Sequence, residues 1–211
     1  MMWYESIQNE LQIANYDEAA RQLALVLSRQ QEQMPNQVNM LLRQFPTEYF
    51  VVNPDVIFAQ ALEALALDDP EQAASLFQQA SLFYLQRHNV DRAIDCHFQL
   101  ISLYQRQENF QTAYAYVDEA RKLLALVMNP RQQATLTLHL AELCPDIGRL
   151  RDGLTYAQQA LDYFRFSEQV GDHFHALRLL TVIERQLGDY TMASAHLEMA
   201  HQLYKSAPLG V

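Results

Sequence analysis

The chain has 211 residues, half of them hydrophobic, with five Gly, seven Pro and a formal net charge of −10. This composition favours a large apolar core and excludes a loop-rich or mainly β-sheet protein. The negative charge argues against nucleic-acid binding, because phosphate recognition needs a basic face. The sequence starts without a basic signal region and has no segment apolar enough to span a bilayer, so we expect a cytoplasmic protein without membrane contact.

The N-terminal part predicts two unlike segments. Residues 1–30 predict a degenerate helical hairpin, whose second helix begins near Tyr16 and continues through the apolar positions Ala19, Leu23 and Val26. Residues 31–53 predict an insertion with one short helix around the run from Leu41 to Pro46. We expect both segments to belong to a single helical-repeat domain that covers residues 1–211.

Four regular units follow, and a pair of small residues seven apart marks each one. The first member of the pair recurs every forty residues, because 113−73, 153−113 and 193−153 all give forty. Such a fixed period indicates a repeat architecture. We place the units at residues 54–93, 94–133, 134–173 and 174–207. The pairs are Ala73/Ala80, Ala113/Ala120, Gly153/Ala160 and Ala193/Ala200.

Large apolar residues recur in the same frame. Those at four and eleven residues after the first small residue share one helical stripe with the pair. This stripe predicts an amphipathic helix, and an apolar helix upstream of it completes a hairpin that must stack on its neighbours to bury its core. We expect the recurring aromatic residues to be core residues: Phe83, Tyr84, Tyr163, Phe164 and Tyr204.

The pattern resembles the tetratricopeptide repeat, which also has small residues seven apart in its second helix. The aromatic residue that is usual in the first helix is present only as Tyr104, and Ala64, Cys144 and Glu184 replace it elsewhere. The resemblance implies an all-α fold: an α-solenoid of stacked antiparallel helical hairpins in a right-handed superhelix. The layout, with its insertion, is also similar to the helical sensor region of MalT-type LuxR-family regulators.

Motifs for catalysis or metal binding are weak. His173 and His175 are two residues apart and would point to different sides of a helix, and His196 and His201 miss the i,i+4 spacing. No nucleophile or phosphate-loop motif occurs in the sequence, and the two cysteines do not form a C-x-x-C pair. We therefore predict no enzyme, no cofactor and no metal, and we interpret Cys96 and Cys144 as reduced core residues.

The resemblance implies a concave face that is lined by the first helix of each hairpin. Carried over to this sequence, that face changes from apolar and acidic to mixed and basic along the chain. The predicted binding residues are Asp55, Phe58, Leu62, Asp95, Ser102, Gln105, Arg106, Thr135, Leu138, Glu142, His175, Arg178, Val182 and Arg185.

Two functions from different classes stay open. The first is a non-enzymatic scaffold, in a bacterial regulatory or assembly role, that binds a protein or peptide on this face. The second is the small-molecule sensing arm of a MalT-like transcription regulator without its ATPase and DNA-binding modules. The last helix should leave part of an apolar face uncovered, which predicts either a homodimer through the C-terminal repeat or continuation into further domains.

Overall fold

The computed structural model describes residues 2–29, 35–167 and 170–206. The predicted boundaries at residues 30, 31 and 207, together with the C-terminal residues, lie outside these ranges. Within them the fold is all-α, with twelve helices and no strand, as predicted. The helices are α1 Met2–Gln12, α2 Tyr16–Arg29, α3 Pro35–Leu42, α4 Tyr49–Val52, α5 Pro54–Ala66, α6 Pro70–Gln86, α7 Val90–Arg106, α8 Phe110–Leu124, α9 Pro130–Asp146, α10 Leu150–Phe164, α11 Val170–Leu187 and α12 Tyr190–Ser206.

The forty-residue period sets the helix starts. Helices α7, α9 and α11 begin forty residues apart, and so do α6, α8, α10 and α12. We call α5, α7, α9 and α11 the first helices, and the other set the second helices. Each second helix follows its first helix after a short turn, so the chain forms helical hairpins.

The turns between first and second helices share one backbone conformation. The residue two before each second helix has a positive φ, which is 80° at Gly148 and 82° at Gly188. Glycine adopts this conformation without strain, whereas Asp68 and Glu108 adopt it, at 60° and 56°, at a steric cost. The turn therefore recurs because the backbone geometry recurs, even where the residue type does not.

Polar side chains cap the helix starts. Asp69 and Asn109 accept hydrogen bonds from the backbone N–H of the third helical residue, at 3.0 and 3.3 Å, and Asp189 does the same at 3.1 Å. Such caps satisfy N–H groups that the helix itself cannot pair. Arg149 stands at the equivalent position and cannot accept; instead it forms ion pairs with Asp118 and Asp152.

The chain divides into two compact units. The first unit runs from Met1 to Leu103, and the second from Tyr104 to Val211. In the first unit, α2, α3 and α4 all pack on α5. In the second unit, α9 packs on α10, and α11 packs on both. In the first unit, buried residues of α1, α2, α3 and α5 form one apolar cluster.

The predicted insertion differs from our expectation, because residues 35–52 contain two short helices, α3 and α4, instead of one. The run from Leu41 to Pro46 is not a helix of its own, since α3 ends at Leu42. Phe45 is instead buried with Leu41 and Leu42 against residues of α1 and α2. Its ring lies 6.3 Å from that of Tyr16 and 6.2 Å from that of Tyr49.

The core prediction is confirmed for most of the apolar stripe. Tyr84 and Phe164 are buried, and Phe83 and Tyr163 are partly buried. Tyr204 is the exception, because 70% of its surface is exposed and the prediction that it is a core residue is wrong. Within the described residues, no helix packs over this side of α12, so the position that is covered in earlier repeats is open here.

Candidate functional site

In the first unit, Arg92 joins two of the predicted binding residues. Its guanidinium forms an ion pair with Asp95 at 2.9 Å and lies 3.8 Å from Asp55. It also lies over the ring of Phe58, at 4.7 Å from the ring centroid. Arg92 is not among the predicted binding residues. Because it neutralises both carboxylates from within the fold, they are less available to a basic partner.

The hydroxyl of Tyr84 completes this cluster. It donates a hydrogen bond of 2.6 Å to Asp55. Burial, with the negative charge of Asp55, raises the pKa of Tyr84 well above its ordinary value, so the hydroxyl keeps its proton. The cluster therefore ties α5, α6 and α7 together as a structural network.

In the second unit, the predicted residues Glu142 of α9 and His175 of α11 come together. Nε2 of His175 lies 2.7 Å from Oε1 of Glu142, although the ring N–H is not aligned with that oxygen. Burial alone would raise the pKa of Glu142, but the contact with His175 and the charges of His139 and Arg178 lower it. The two first helices thus share one charged cluster.

More predicted residues extend this surface along α11. Arg178, Val182 and Arg185 are spaced four and three apart and are all exposed. Thr135 of α9 is partly exposed, and its hydroxyl donates to the carbonyl of Arg131 at 3.1 Å. We call Thr135, Glu142, His175, Arg178, Val182 and Arg185 the first-helix surface of the second unit. It offers two exposed guanidinium groups, and the charge of one of them, Arg178, acts on the Glu142 carboxylate.

The other predicted residues of α7 are Ser102, Gln105 and Arg106. Ser102 and Gln105 are partly exposed, and Arg106, at the end of the helix, is exposed. Ser102 belongs to the first unit, whereas Gln105 and Arg106 belong to the second.

Three predicted binding residues are wrong as surface residues, because their side chains lie in the core. Phe58 and Leu138 are almost fully buried, and Leu62 is buried as well. Phe58 packs edge-on against Phe77 of α6, with ring centroids 5.4 Å apart. These positions of the first helix face the core of the repeat. The tetratricopeptide pattern, when applied to this sequence, did not separate the buried face of the first helix from its exposed face.

A buried contact between a histidine and a glutamate in the last hairpin was not foreseen. Nδ1 of His196 lies 2.8 Å from Oε2 of Glu184, and both side chains are nearly inaccessible. The same two positions, eighty residues earlier, hold Tyr104 and Tyr116, whose rings stack at 5.7 Å and 8°. The repeat frame could have revealed this pair, because Glu184 occupies the position of the first-helix aromatic.

The second unit also contains a cavity of about 400 Å³ between α8, α9 and α10. Its volume falls in the range of small-molecule sites. Its lining combines apolar groups with a few polar ones: Arg121, Leu124, Ala125, Pro130, Gln133, Ala134, Thr137, Tyr156, Gln159 and Tyr163.

Other chemistry is sparse in the described ranges. No group of three or more His, Cys, Asp or Glu side chains there is arranged to hold a metal ion. Both cysteines are free and buried, as predicted, and burial raises the pKa of the Cys144 thiol to about 12. Nor does any helix in the part of the chain that the structure describes have the length and apolarity needed to cross a membrane.

The chain matches no protein-family model and no curated protein. Its fold, however, resembles solved structures over nearly its whole length. BtubC from P. vanneervenii has a TM-score of 0.71 at 14% identity, covering 100% of this chain and 97% of BtubC. A putative kinesin light chain from Podosopora anserina, with nearly identical TPR-like repeats, has a TM-score of 0.61 at 13% identity, covering 99% and 96%.

A third similar structure is a Rap protein complexed with Competence and Sporulation Factor. Its TM-score is 0.62 at 14% identity, and the match covers 95% of this chain and 52% of the Rap protein. At such identities the likeness concerns the fold. The chain therefore has a TPR-like helical-repeat fold.

Proposed function

We propose that this protein is a non-enzymatic scaffold that binds a protein or peptide segment on the first-helix surface of the second unit. The observation that carries the proposal is the meeting of predicted residues from α9 and α11 in one accessible charged cluster, through the 2.7 Å contact of Glu142 and His175. The solved Rap structure, which holds Competence and Sporulation Factor, supports a binding role for this fold. The bacterial regulatory or assembly setting and the cytoplasmic location are parts of the same proposal.

The charges of the surface suggest what it binds. Arg178 and Arg185 lie seven residues apart on α11, about two helical turns, and both are exposed. A guanidinium group pairs well with carboxylates, often with two parallel hydrogen bonds. Val182 lies between them and offers an apolar contact. We therefore propose that the bound segment carries acidic residues around an apolar one.

The proposal can be tested by selecting peptides from a random phage-displayed library against the full chain. The affinities of the selected peptides are then measured by isothermal titration calorimetry. The double substitution Arg178→Ala/Arg185→Ala should weaken their binding at least tenfold, which is about 1.4 kcal/mol. Helicity should stay unchanged, because both side chains are exposed.

Arg43→Ala/Arg151→Ala provides the matched control. These arginines are also exposed, and neither belongs to the first-helix surface. The control removes the same net charge, so it should leave affinity nearly unchanged. An equal loss in both variants would mean that only overall charge matters, and an unchanged affinity in the first variant would place binding elsewhere.

A small-molecule effector is the second candidate, and the cavity between α8, α9 and α10 favours it. A ligand that binds only the folded state raises the midpoint of thermal unfolding. We propose a thermal-shift screen of metabolites, with Thr137→Leu to fill the cavity. Thr137 is buried, and its hydroxyl donates to the carbonyl of Gln133 at 2.7 Å. A shift that Thr137→Leu abolishes would favour the sensor, and a screen without any shift would contradict it.

A further inference from the structure

An open groove lies between α11 and α12. Its volume is about 320 Å³. We call it the terminal groove. Its walls are mainly apolar, with two groups that can carry positive charge. The lining residues are Phe174, Arg178, Thr181, Val182, Leu197, Ala200, His201 and Tyr204.

Comparison with the preceding repeat shows which kind of structural element fits this groove. Forty residues earlier, the equivalent positions include Leu138, Ala157, Leu161 and Phe164, and all four are buried. They are covered because α11 packs on α9 and α10. The terminal groove therefore corresponds to the surface of α9 and α10 on which α11 packs one repeat earlier.

The glycine of the third regular repeat shows how closely that helix approaches. A Cβ atom at Gly153 would lie 3.3 Å from Cδ1 of Ile183, which belongs to α11. The large aliphatic side chain of Ile183 on α11 thus packs closely on the small residue Gly153 of the preceding hairpin. In the forty-residue frame Gly153 corresponds to Ala193 and Ala141 to Thr181, so a helix in the terminal groove would place an aliphatic side chain near Thr181 and Ala193.

The charges of the groove restrict the occupant further. None of its lining residues is an acid, whereas Arg178 and His201 line it and the exposed Lys205 follows Tyr204. On α12, the nearby Glu198 accepts a hydrogen bond from Gln202 at 3.1 Å. A symmetric pair of this protein would bring the same cations face to face. Like charges at an interface are unfavourable, so the groove does not suit a second copy.

We infer that the terminal groove binds an amphipathic helix of a partner protein, with an aliphatic stripe and acidic residues beside it. Helix-in-groove recognition uses such a stripe at positions three and four residues apart. The site is distinct from the proposed peptide surface, since Leu197, His201 and Tyr204 belong to α12, although Arg178 and Val182 border both.

Two stapled helical peptides test this inference. They share one leucine stripe and differ only in their polar positions, which are Glu in the first peptide and Lys in the second. Fluorescence polarisation with the full chain should show that the acidic peptide binds at least tenfold more tightly. The difference should shrink at high salt, because exposed charges are screened.

Tyr204→Ala and Tyr190→Ala form a matched pair of variants. Both tyrosines are on α12 and are 70% exposed, but only Tyr204 lines the groove. Tyr204→Ala should lower the affinity for the acidic peptide at least tenfold, whereas Tyr190→Ala should leave that affinity unchanged. His201→Glu should reverse the preference towards the Lys peptide.

The inference is overturned if both peptides bind equally, if neither binds, or if the two tyrosine variants behave alike. A dimer in analytical ultracentrifugation that Tyr204→Ala dissociates would also overturn it, because a second copy would then occupy the groove. Retention of acidic-peptide binding in His201→Glu, together with its loss in Arg178→Ala/Arg185→Ala, would overturn it as well, because the peptide would then bind on the proposed peptide surface.

Discussion

The third and fourth regular repeats place the same sequence pattern in opposite environments. In the third, Ala157 and Phe164 are fully buried, at 0% exposure. In the fourth, Leu197 and Tyr204 occupy the equivalent positions and are 60% and 70% exposed. The stripe is equally apolar in both helices. The difference in exposure shows that an apolar helical stripe defines a surface that can pack against another helix. Whether that surface is core or interface depends on the presence of a neighbouring helix.

The two repeats also differ beneath that surface. The positions of Cys144 and Tyr156 in the third repeat are taken by Glu184 and His196 in the fourth, where the two side chains form a buried polar contact of 2.8 Å. In the first regular repeat the same positions hold Ala64 and Leu76. This pair of positions thus accepts apolar, aromatic and polar partners, provided that the two side chains complement each other.

The largest expected effect comes from truncating the same stripe position in each repeat. Phe164→Ala removes a fully buried ring and should destabilise the protein by about 3–5 kcal/mol. Tyr204→Ala removes an exposed ring and should cost about 0.5 kcal/mol or less. Urea denaturation followed by circular dichroism measures both. Equal losses of stability would mean that the side of α12 that carries Tyr204 is also buried.

The buried contact between Glu184 and His196 should show strong energetic coupling. Glu184→Ala leaves the His196 ring without its buried partner and should cost about 1–3 kcal/mol. Adding His196→Leu reproduces the apolar pair of the first regular repeat and should recover most of that loss. A double-mutant cycle by urea denaturation measures the coupling. Additive losses would show that the 2.8 Å contact contributes nothing.

A smaller contrast concerns the close approach of helices at the small residues. Ala120 is fully buried, so Ala120→Leu should overpack the contact and cost about 1–3 kcal/mol. Ala115 lies on the same helix but is exposed, so Ala115→Leu should be nearly neutral. Thermal and urea unfolding of the two variants can be compared directly. If both were equally harmful, the forty-residue frame would be misplaced on α8.

The smallest effect is a pH dependence at Glu142. Its pKa is lowered in the folded state, so its contribution to stability is present above the ordinary pKa of a glutamate and is lost as the pH falls through the lowered value. Because the side chain is 36% exposed, the contribution should stay within about 1 kcal/mol. Glu142→Gln should flatten the stability profile below about pH 5. An unchanged profile would show that the contact with His175 is ineffective.

The period in the sequence predicted the helices well, because a stripe of 3.6 residues and recurrent turns are local features. The starts of α6, α8, α10 and α12 follow the frame without slippage. The insertion was predicted less well. Its second short helix, α4, has no stripe of its own, and the burial of Phe45 depends on contacts with α1 and α2.

The site was harder to predict, because it depends on which side of each first helix meets a neighbour. Glu142 and His175 occupy different positions of the repeat and come together, whereas Phe58 and Leu138, which share one repeat position, turn into the core. Arg92 was missed because its contact with Asp55 joins α7 to α5, whereas its pair with Asp95 is an ordinary i,i+3 contact within α7. Such contacts follow from stacking between hairpins, which one repeat alone does not encode.

Thiol labelling tests the contrast between the two repeats most directly. The native Cys96 and Cys144 are both buried, and burial raises the pKa of each thiol, so the background reaction should be slow. Ala157→Cys and Leu197→Cys place a new thiol at equivalent positions of α10 and α12. We expect Leu197→Cys to react rapidly with one equivalent of a thiol reagent, and Ala157→Cys to react only on unfolding. Equal rates, or protection at position 197 in the isolated protein, would contradict the account.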